Sequence, residues 1–336
     1  MAVNAKTNET YDLNVMREDL QEAYTMISPT DTPFQLSARH EVASNTLFEW
    51  PVVELAATDA TNRVVEGDDA PAVDDANNAL RLSNYTQISD KVAKVSRTSQ
   101  AVDAAAKNLQ KLSEQMAIKM KEMKRDKEVM LLSNVAAVAG SSGNARGTAG
   151  LAAFLKTNTV FEAGGADPTL SGTTEGYPNA AATAGTTSVV FAEADLNQIV
   201  EDCWNEGASP SLIMVNSGNK RRVTEAFVGN ASRYEDTVSR KVTNSIDFYR
   251  SDFGVDLTLV PNRFMPTNNP GGADDSYNVF VLDPEYYAIA YLDEVQQKPL
   301  AETGHSVSSL IWCEYGLQVD NEKAHGIIRD TTNAIS

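Results

Sequence analysis

LFEWPVVEL (47–55), RVVEGDDAPAVDDANNA (63–79) and ALRLSNYTQISDKVAKV (79–95) are consecutive pieces of the chain, and their reading decides the fold. The first is an apolar strand pattern in which Pro51 cannot donate to a ladder, which predicts an edge position or a bulge. The third alternates apolar and polar residues, the period of a strand. Between them lies a tip that carries Glu66, Asp68, Asp69, Asp74 and Asp75 against the single cation Arg63. Two strands and a long tip predict an extended hairpin. Like charges held close together repel, so a solitary compact chain gains nothing from such a tip. Its use depends on what lies opposite.

Downstream comes the strongest helical pattern. From Ser99 to Ala139 there is no glycine or proline, and Leu109, Leu112, Met116, Met120, Met123 and Met130 fall near one stripe at three- and four-residue steps. The pattern predicts one unbroken rod about 60 Å long, as wide as a globule of this length, whose diameter is roughly 50 Å. Its methionine stripe is expected to pack on the protein's own sheet. Its polar side carries Lys107, Lys111, Lys119, Lys121, Lys124, Arg125 and Lys127. Lys124 can pair with Glu128 one turn on, yet the face reads as a basic ridge. GSSGNARGTAGL (140–151) ends the rod with glycine.

The remaining segments predict a compact α+β unit with a central sheet. FAEADLNQIVEDCWNEGA (191–208) reads as a helix, SLIMVN (211–216) as a buried strand, and SGNKRRVTEAFV (217–228) as a helix after it. VDLTLVPN, NVFVLD and YYAIAYL read as strands between 255 and 292. VSSLIWCEYGLQV (307–319) places Val307, Ile311, Cys313, Tyr315, Leu317 and Val319 at odd numbers, so a long strand with one buried face is expected. Residues 157–189, rich in Ala, Gly and Thr, read as a surface loop or weakly packed extension. At the start, LNVMREDLQEAYTMI (13–27) is a short amphipathic piece, and SPTDTPF (28–34) is a turn fixed by two prolines.

Composition removes several classes of function. With 46 acids against 28 lysines and arginines, the net charge is −18, the wrong sign for gripping phosphates. No apolar run is long enough to cross a membrane, and MAVNAKTNETYDLNV lacks the pattern of a signal peptide. Cys203 and Cys313 are expected to be buried, reduced thiols. His40, His305 and His325 stand at no metal-ligand spacing, and no CxxC, HExxH, GxSxG or Gly-Lys-Ser/Thr phosphate loop occurs. Asp68, Asp69, Asp74 and Asp75 lack the spacing and central glycine of a calcium loop. No catalytic residue, metal site or cofactor is predicted. A carboxylate-dependent enzyme stays as a distant alternative.

SPTDTPF (28–34), FEW (48–50), EMKRDKEVMLL (122–132), RGTAGLAAFLKTN (146–158) and EYGLQVDNEKAHGIIRD (314–330), taken in this order, resemble the major capsid proteins of tailed double-stranded DNA phages. The fold of that family is the HK-ninety-seven (HK97) fold, and the wording is similar to its SU-ten-like (SU10-like) branch. The resemblance implies an N-terminal arm at 1–36, an extended loop (E-loop) at 37–97, and a peripheral domain at 98–189 whose spine helix is 98–140. It further implies an axial domain at 190–295, and a returning strand with the C-terminal strand at 296–336. It implies a shell subunit that meets itself in pentamers and hexamers inside a virion assembled in the host cytoplasm. A scaffolding protein, a portal and decoration proteins are its expected partners, and DNA is enclosed without being specifically bound. The short arm implies that no long fused scaffolding segment is cut away. In this reading the loop acids Glu66, Asp68, Asp69, Asp74 and Asp75 face Lys119, Lys121, Lys124, Arg125 and Lys127 on a neighbour's spine helix. The alternative for the acids is a solvated tip that keeps loops from sticking. The alternative for the protein is the nanocompartment (encapsulin-like) shell of the same fold.

Overall fold

The structure, a computed structural model, describes residues 28–56, 58–63, 65–67, 69, 77–102, 111–161, 163–227, 235–236, 241–242, 247–268 and 276–332. In chain order the first elements are α1 (Pro33–Ser37), β1 (Arg39–Val42), β2 (Leu47–Val52), β3 (Leu80–Tyr85), β4 (Gln87–Ser96), α2 (Arg97–Ala101) and α3 (Leu112–Leu132). α4 (Leu151–Phe154) and three short strands follow, β5 (Thr159–Val160), β6 (Thr169–Leu170) and β7 (Pro178–Ala180). Next come α5 (Glu193–Asn205), β8 (Leu212–Val215), α6 (Ser217–Arg222), β9 (Glu235–Asp236) and β10 (Lys241–Val242). The chain closes with β11 (Phe248–Arg250), β12 (Asp256–Pro261), β13 (Ser276–Leu282), β14 (Tyr287–Pro299), β15 (Ser306–Val319) and β16 (Gly326–Thr332).

Two sheets organise these elements. The first has the order β1-β14-β15-β4, with β1 parallel to β14 and the rest antiparallel. On β15 the odd positions Ile311, Cys313, Tyr315, Leu317 and Val319 are buried, as the period of two predicts. α3 packs on β15 and β4, and the Cys313 sulfur lies 4.0 Å from that of Met123. The second sheet has the order β11-β12-β8-β13-β16-β5. Its central strands β8 and β13 are buried on both faces and therefore read as near-continuous apolar runs. Met214, Phe280, Leu282 and Ile327 join the core that contains α3, whereas Ile213, Val215, Val279, Val281 and Ile328 pack in a second core with α5.

Three expectations are corrected. The rod from 98 to 140 is not continuous. Its described helices are α2 and the 21-residue α3, about 32 Å long, and residues 103–110 lie outside the described set. Val102 turns extended at ψ 136° and Ser133 at ψ 159°. Gly150 presses on the end of α3 so closely that a Cβ there would stand 2.1 Å from the Ser133 carbonyl oxygen. Tertiary packing thus stops a helix that the sequence alone would continue.

The strand read over 79–95 divides at Thr86. β3 pairs with β2, and β4 leaves to pair with β15. The division at 295/296 is also crossed, because β14 belongs to the first sheet and β16 returns to the second. In the weakly packed region, β6 pairs with β7. The Asn134 side chain donates to the Ala182 carbonyl (2.7 Å) and accepts from its N–H (3.0 Å), which fixes the region to the end of α3.

Candidate intersubunit surfaces

β2 and β3 form the base of the acidic hairpin, and the base is fixed to its own body. Trp50 is buried, and its indole N–H donates to the Val319 carbonyl at 2.9 Å. Its ring lies 5.6 Å from that of Phe48. Phe48 occupies the space over Gly316, where a Cβ would come within 2.5 Å of its ring. Asn84, fully buried, donates to Thr148 Oγ1 (3.0 Å) and the Leu317 carbonyl (2.7 Å) and accepts from the Ala149 N–H (3.0 Å). The buried positions of β2 and β3 therefore serve the chain's own core. The expectation of a loop free over all of 37–97 is corrected to this extent.

Beyond Val52 the picture changes. Every described residue from 53 to 79 is exposed. Val53 is 59%, Leu55 87% and Val65 75% accessible. A Lys323–Glu54 ion pair of 3.2 Å tethers the foot of this segment, and Lys323 also pairs with Glu206 at 3.3 Å. Glu66 and Asp69 lie on the exposed part, while Asp68, Asp74 and Asp75 lie outside the described residues. Anchored strands thus lead into a segment whose described residues are exposed, Val53, Leu55 and Val65 among them, surface that other molecules can bury.

The basic ridge on α3 is weaker than the sequence suggests. Lys121 and Lys124 are exposed, Lys119 and Arg125 half-buried. Lys119 pairs with Glu122 at 2.8 Å, and the Arg125 guanidinium stands 5.1 Å over the Phe264 ring. Lys127 must be removed from the ridge. It is 7% exposed, and its ammonium donates to the Tyr291 hydroxyl at 2.6 Å, over the faces of Tyr291 and Tyr315. Position 127 stands four residues after Met123 and four before Leu131, so it falls on the buried stripe. The aromatic faces and the hydroxyl take the charge that water would otherwise solvate. Burial still lowers its pKa. Over Leu112–Leu132 five cations face four acids (Glu114, Glu122, Asp126 and Glu128), a net charge of +1.

Several buried polar groups do work that the sequence did not disclose. Glu128, fully buried, accepts from the Phe34 N–H (2.8 Å), the Gln35 N–H (3.1 Å) and the Asn262 amide (2.8 Å). The first two are unpaired donors at the start of α1, so one carboxylate joins α1, α3 and the end of β12. The Pro33 turn was the available signal for the start of α1, but nothing in the sequence paired it with Glu128. Arg329 donates to the carbonyls of Ala152 (3.0 Å) and Leu155 (2.7 Å), and burial lowers its pKa to about 10. Asp330, at φ 57°, accepts from the Gly185 N–H (2.7 Å) and the Asn268 amide (3.0 Å). The sequence HGIIRD is therefore a structural clasp.

The histidines are dispersed. His40 stacks on Tyr291, with 5.4 Å between ring centroids, and His305 lies beside Thr98. His325 is fully buried. Its Nδ1 accepts from the Asp283 N–H at 3.2 Å, Nε2 faces the Tyr286 carbonyl at 3.4 Å, and burial pushes its pKa down to about 4. Cys203 and Cys313 are free and buried, and burial raises both thiols, Cys203 to about 12. Among the described residues no group of three or more His, Cys, Asp or Glu could hold a metal.

Comparison with known proteins bears on this arrangement. The profile of the SU10 major capsid protein family matches residues 4–332. The major capsid protein of Escherichia phage Phieco32 is 26% identical over 348 residues, covering 95% of each chain. Among solved structures, the capsid of cyanophage P-SCSP1u superposes with a TM-score of 0.58 at 10% identity, covering 98% of this chain and 96% of that one. The holo-SrpI encapsulin complex of Synechococcus elongatus gives 0.57 at 11%, covering 98% and 97%. At such identities the two superpositions establish a shared fold and nothing finer.

Proposed function

The chain belongs to the SU10 major capsid protein family and is a subunit of the icosahedral head of a tailed phage; we propose that copies are joined by the segment 53–79, which leaves the body of one subunit and lies across the next. The observation that carries this reading is the contrast within one hairpin: β2 and β3 are buried on their own body, while Val53, Leu55 and Val65 stand in water. Burying a large aliphatic side chain is worth about 1.5–3 kcal/mol, and a closed shell repeats the contact at every subunit. Glu66, Asp68, Asp69, Asp74 and Asp75 then face Lys119, Lys121, Lys124 and Arg125 of the neighbour. Each exposed pair is worth only about 0–1 kcal/mol, so charge sets register while apolar burial holds the subunits together. Weak single contacts also let misplaced subunits leave during assembly.

The subunits meet in pentamers and hexamers, assemble in the host cytoplasm and catalyse no reaction. Scaffolding, portal and decoration proteins are their partners. The net charge of −18 suits a wall that DNA must slide past, and no duplex binding is expected at physiological salt, about 0.15 M. Tight binding in a gel-shift assay would count against the container role. Replacing the five loop acids by lysine tests the contact. The variant is expected to fold as a subunit and to form no shells, and normal shells from it would refute the assignment.

A further inference from the structure

Lys121 and Lys124 share a strip of α3 with Ser113, Ala117 and Met120, residues three and four apart that all stand in water. The strip ends where α1 crosses the helix. The Gln35 side-chain amide donates to the Lys124 carbonyl at 2.7 Å, Glu128 accepts from the Phe34 and Gln35 N–H groups, and the Phe34 ring stacks on Tyr287 at 4.9 Å. On a turn held at so many points Leu36 is nonetheless 89% exposed, and Met120, one turn before Lys124, is 37% exposed. From Lys111 to Arg125 five cations meet only Glu114 and Glu122, a net charge of +3, and counting the buried Glu128 leaves +2. Lys119 takes Glu122 and Lys91 takes Asp126, whereas Lys121 and Lys124 make no ion pair among the described residues.

The segment 53–79 has the matching chemistry. Arg63 is its one cation against Glu54, Asp59, Glu66 and the four aspartates that follow, and the exposed Leu55 and Val65 each stand next in sequence to a glutamate. Resting on the reading that this segment crosses to a neighbour, we infer that it lands on the strip made by α3 and α1 of that second copy. Leu55 and Val65 cover Leu36 and Met120, and Glu66 meets Lys121 and Lys124. The strip of the same copy lies on the wrong side. Cys313 and Tyr315, at odd positions of β15, face α3, whereas Phe48 of the hairpin covers the even position Gly316. Successive residues of a strand point to opposite faces, so the first sheet separates the hairpin's base from its own α3. Donor and receptor are different surfaces of one chain. Their contact is therefore head-to-tail, the kind that repeats until its rotation closes a ring. Glu128, by fixing α1, holds Leu36 at the end of the strip.

Leu55→Cys and Val65→Cys, each labelled with a benzophenone maleimide, test the landing site. The native Cys203 and Cys313 are buried, which directs the label to the new thiol. Labelled subunits are mixed as a small minority with unaltered ones, assembled into shells and irradiated, and the linked peptides are read by mass spectrometry. The expected result is a dimer-sized product joined at Leu36, at Met120 or between Ser113 and Lys124. In a second measurement, Leu36→Ser/Lys121→Gln/Lys124→Gln alters exposed residues only and should leave the thermal midpoint of the subunit within a degree or two. The protein concentration at which its shells appear should rise at least tenfold. Dimer-sized links confined to other surfaces of the neighbour, or an unchanged threshold, would overturn the inference and leave the crossing of the segment standing. Links found only within single chains would overturn the crossing itself, and the inference with it.

Discussion

Leu55→Ser/Val65→Ser separates the fold of the subunit from its assembly. Both side chains are largely in water in the single chain, Leu55 at 87% and Val65 at 75% exposure. Exposed substitutions away from caps and networks change stability by about 0.5 kcal/mol or less, so the thermal midpoint of the unassembled subunit should move by no more than a degree or two. In the shell the same side chains are proposed to be buried. Losing two large aliphatic groups, at about 1.5–3 kcal/mol each when fully buried, and discounting for incomplete burial, removes about 3 kcal/mol per contact. By the relation of about 1.4 kcal/mol per tenfold, the protein concentration at which shells appear should rise at least a hundredfold. Light scattering across a dilution series, with sedimentation to separate shells from capsomers, reads that threshold. An unchanged threshold would refute the role of the loop's apolar tip. A subunit that melts many degrees lower would show that these residues pack on their own body, which would refute the reasoning at its source.

Three further outcomes follow from buried groups. His325 has a folded pKa of about 4, below the unfolded value near 6.5, so its contribution is complete above about pH 6.5 and is lost as pH falls toward 4, about 3 kcal/mol in all. Urea midpoints measured across that window should fall with pH in the native protein and fall less in His325→Gln; equal slopes would contradict the assignment. Lys127→Met keeps the stem and removes the buried ammonium, so stability should change by about 1 kcal/mol or less and shells should form normally. Failure of a folded Lys127→Met subunit to assemble would place Lys127 at the interface after all. Glu128→Ala strands the Phe34 and Gln35 N–H groups and the Asn262 amide, at a cost of about 1–3 kcal/mol for each buried donor left unpaired. The variant should unfold earlier and become cleavable by chymotrypsin at Phe34, whereas unchanged cleavage would show that the junction is not needed to hold α1.

What the sequence disclosed, and what it hid, follows from the range of the interactions. β15 was legible because each of its odd positions meets one face of one sheet. β8 and α5 were legible for the same local reason. The length of α3 was not legible, because Gly150 stops it from the far side of a turn, and no periodicity within 99–139 records that contact. The charge of Lys127 points to the ridge, whereas its spacing from Met123 and Leu131 places it on the buried stripe. There the period was the better guide than the residue type. The crossing of β14 and β16 between the two sheets depends on pairings among strands far apart in sequence, so the domain division drawn along the chain could not show it. The tip is visible in the sequence as a run of acids, but the apolar contribution of the exposed residues Val53, Leu55 and Val65 is clear only from the structure, in which the hairpin's base is buried on its own body.

The most direct measurement is a cryo-electron microscopy map of the shell formed by this chain. The account predicts continuous density for residues 53–79 running over the adjacent subunit, with Leu55 and Val65 in contact with it and the foot still held through Glu54 and Lys323. Density that turns this segment back along its own subunit, leaving neighbours to meet through other surfaces, would contradict it.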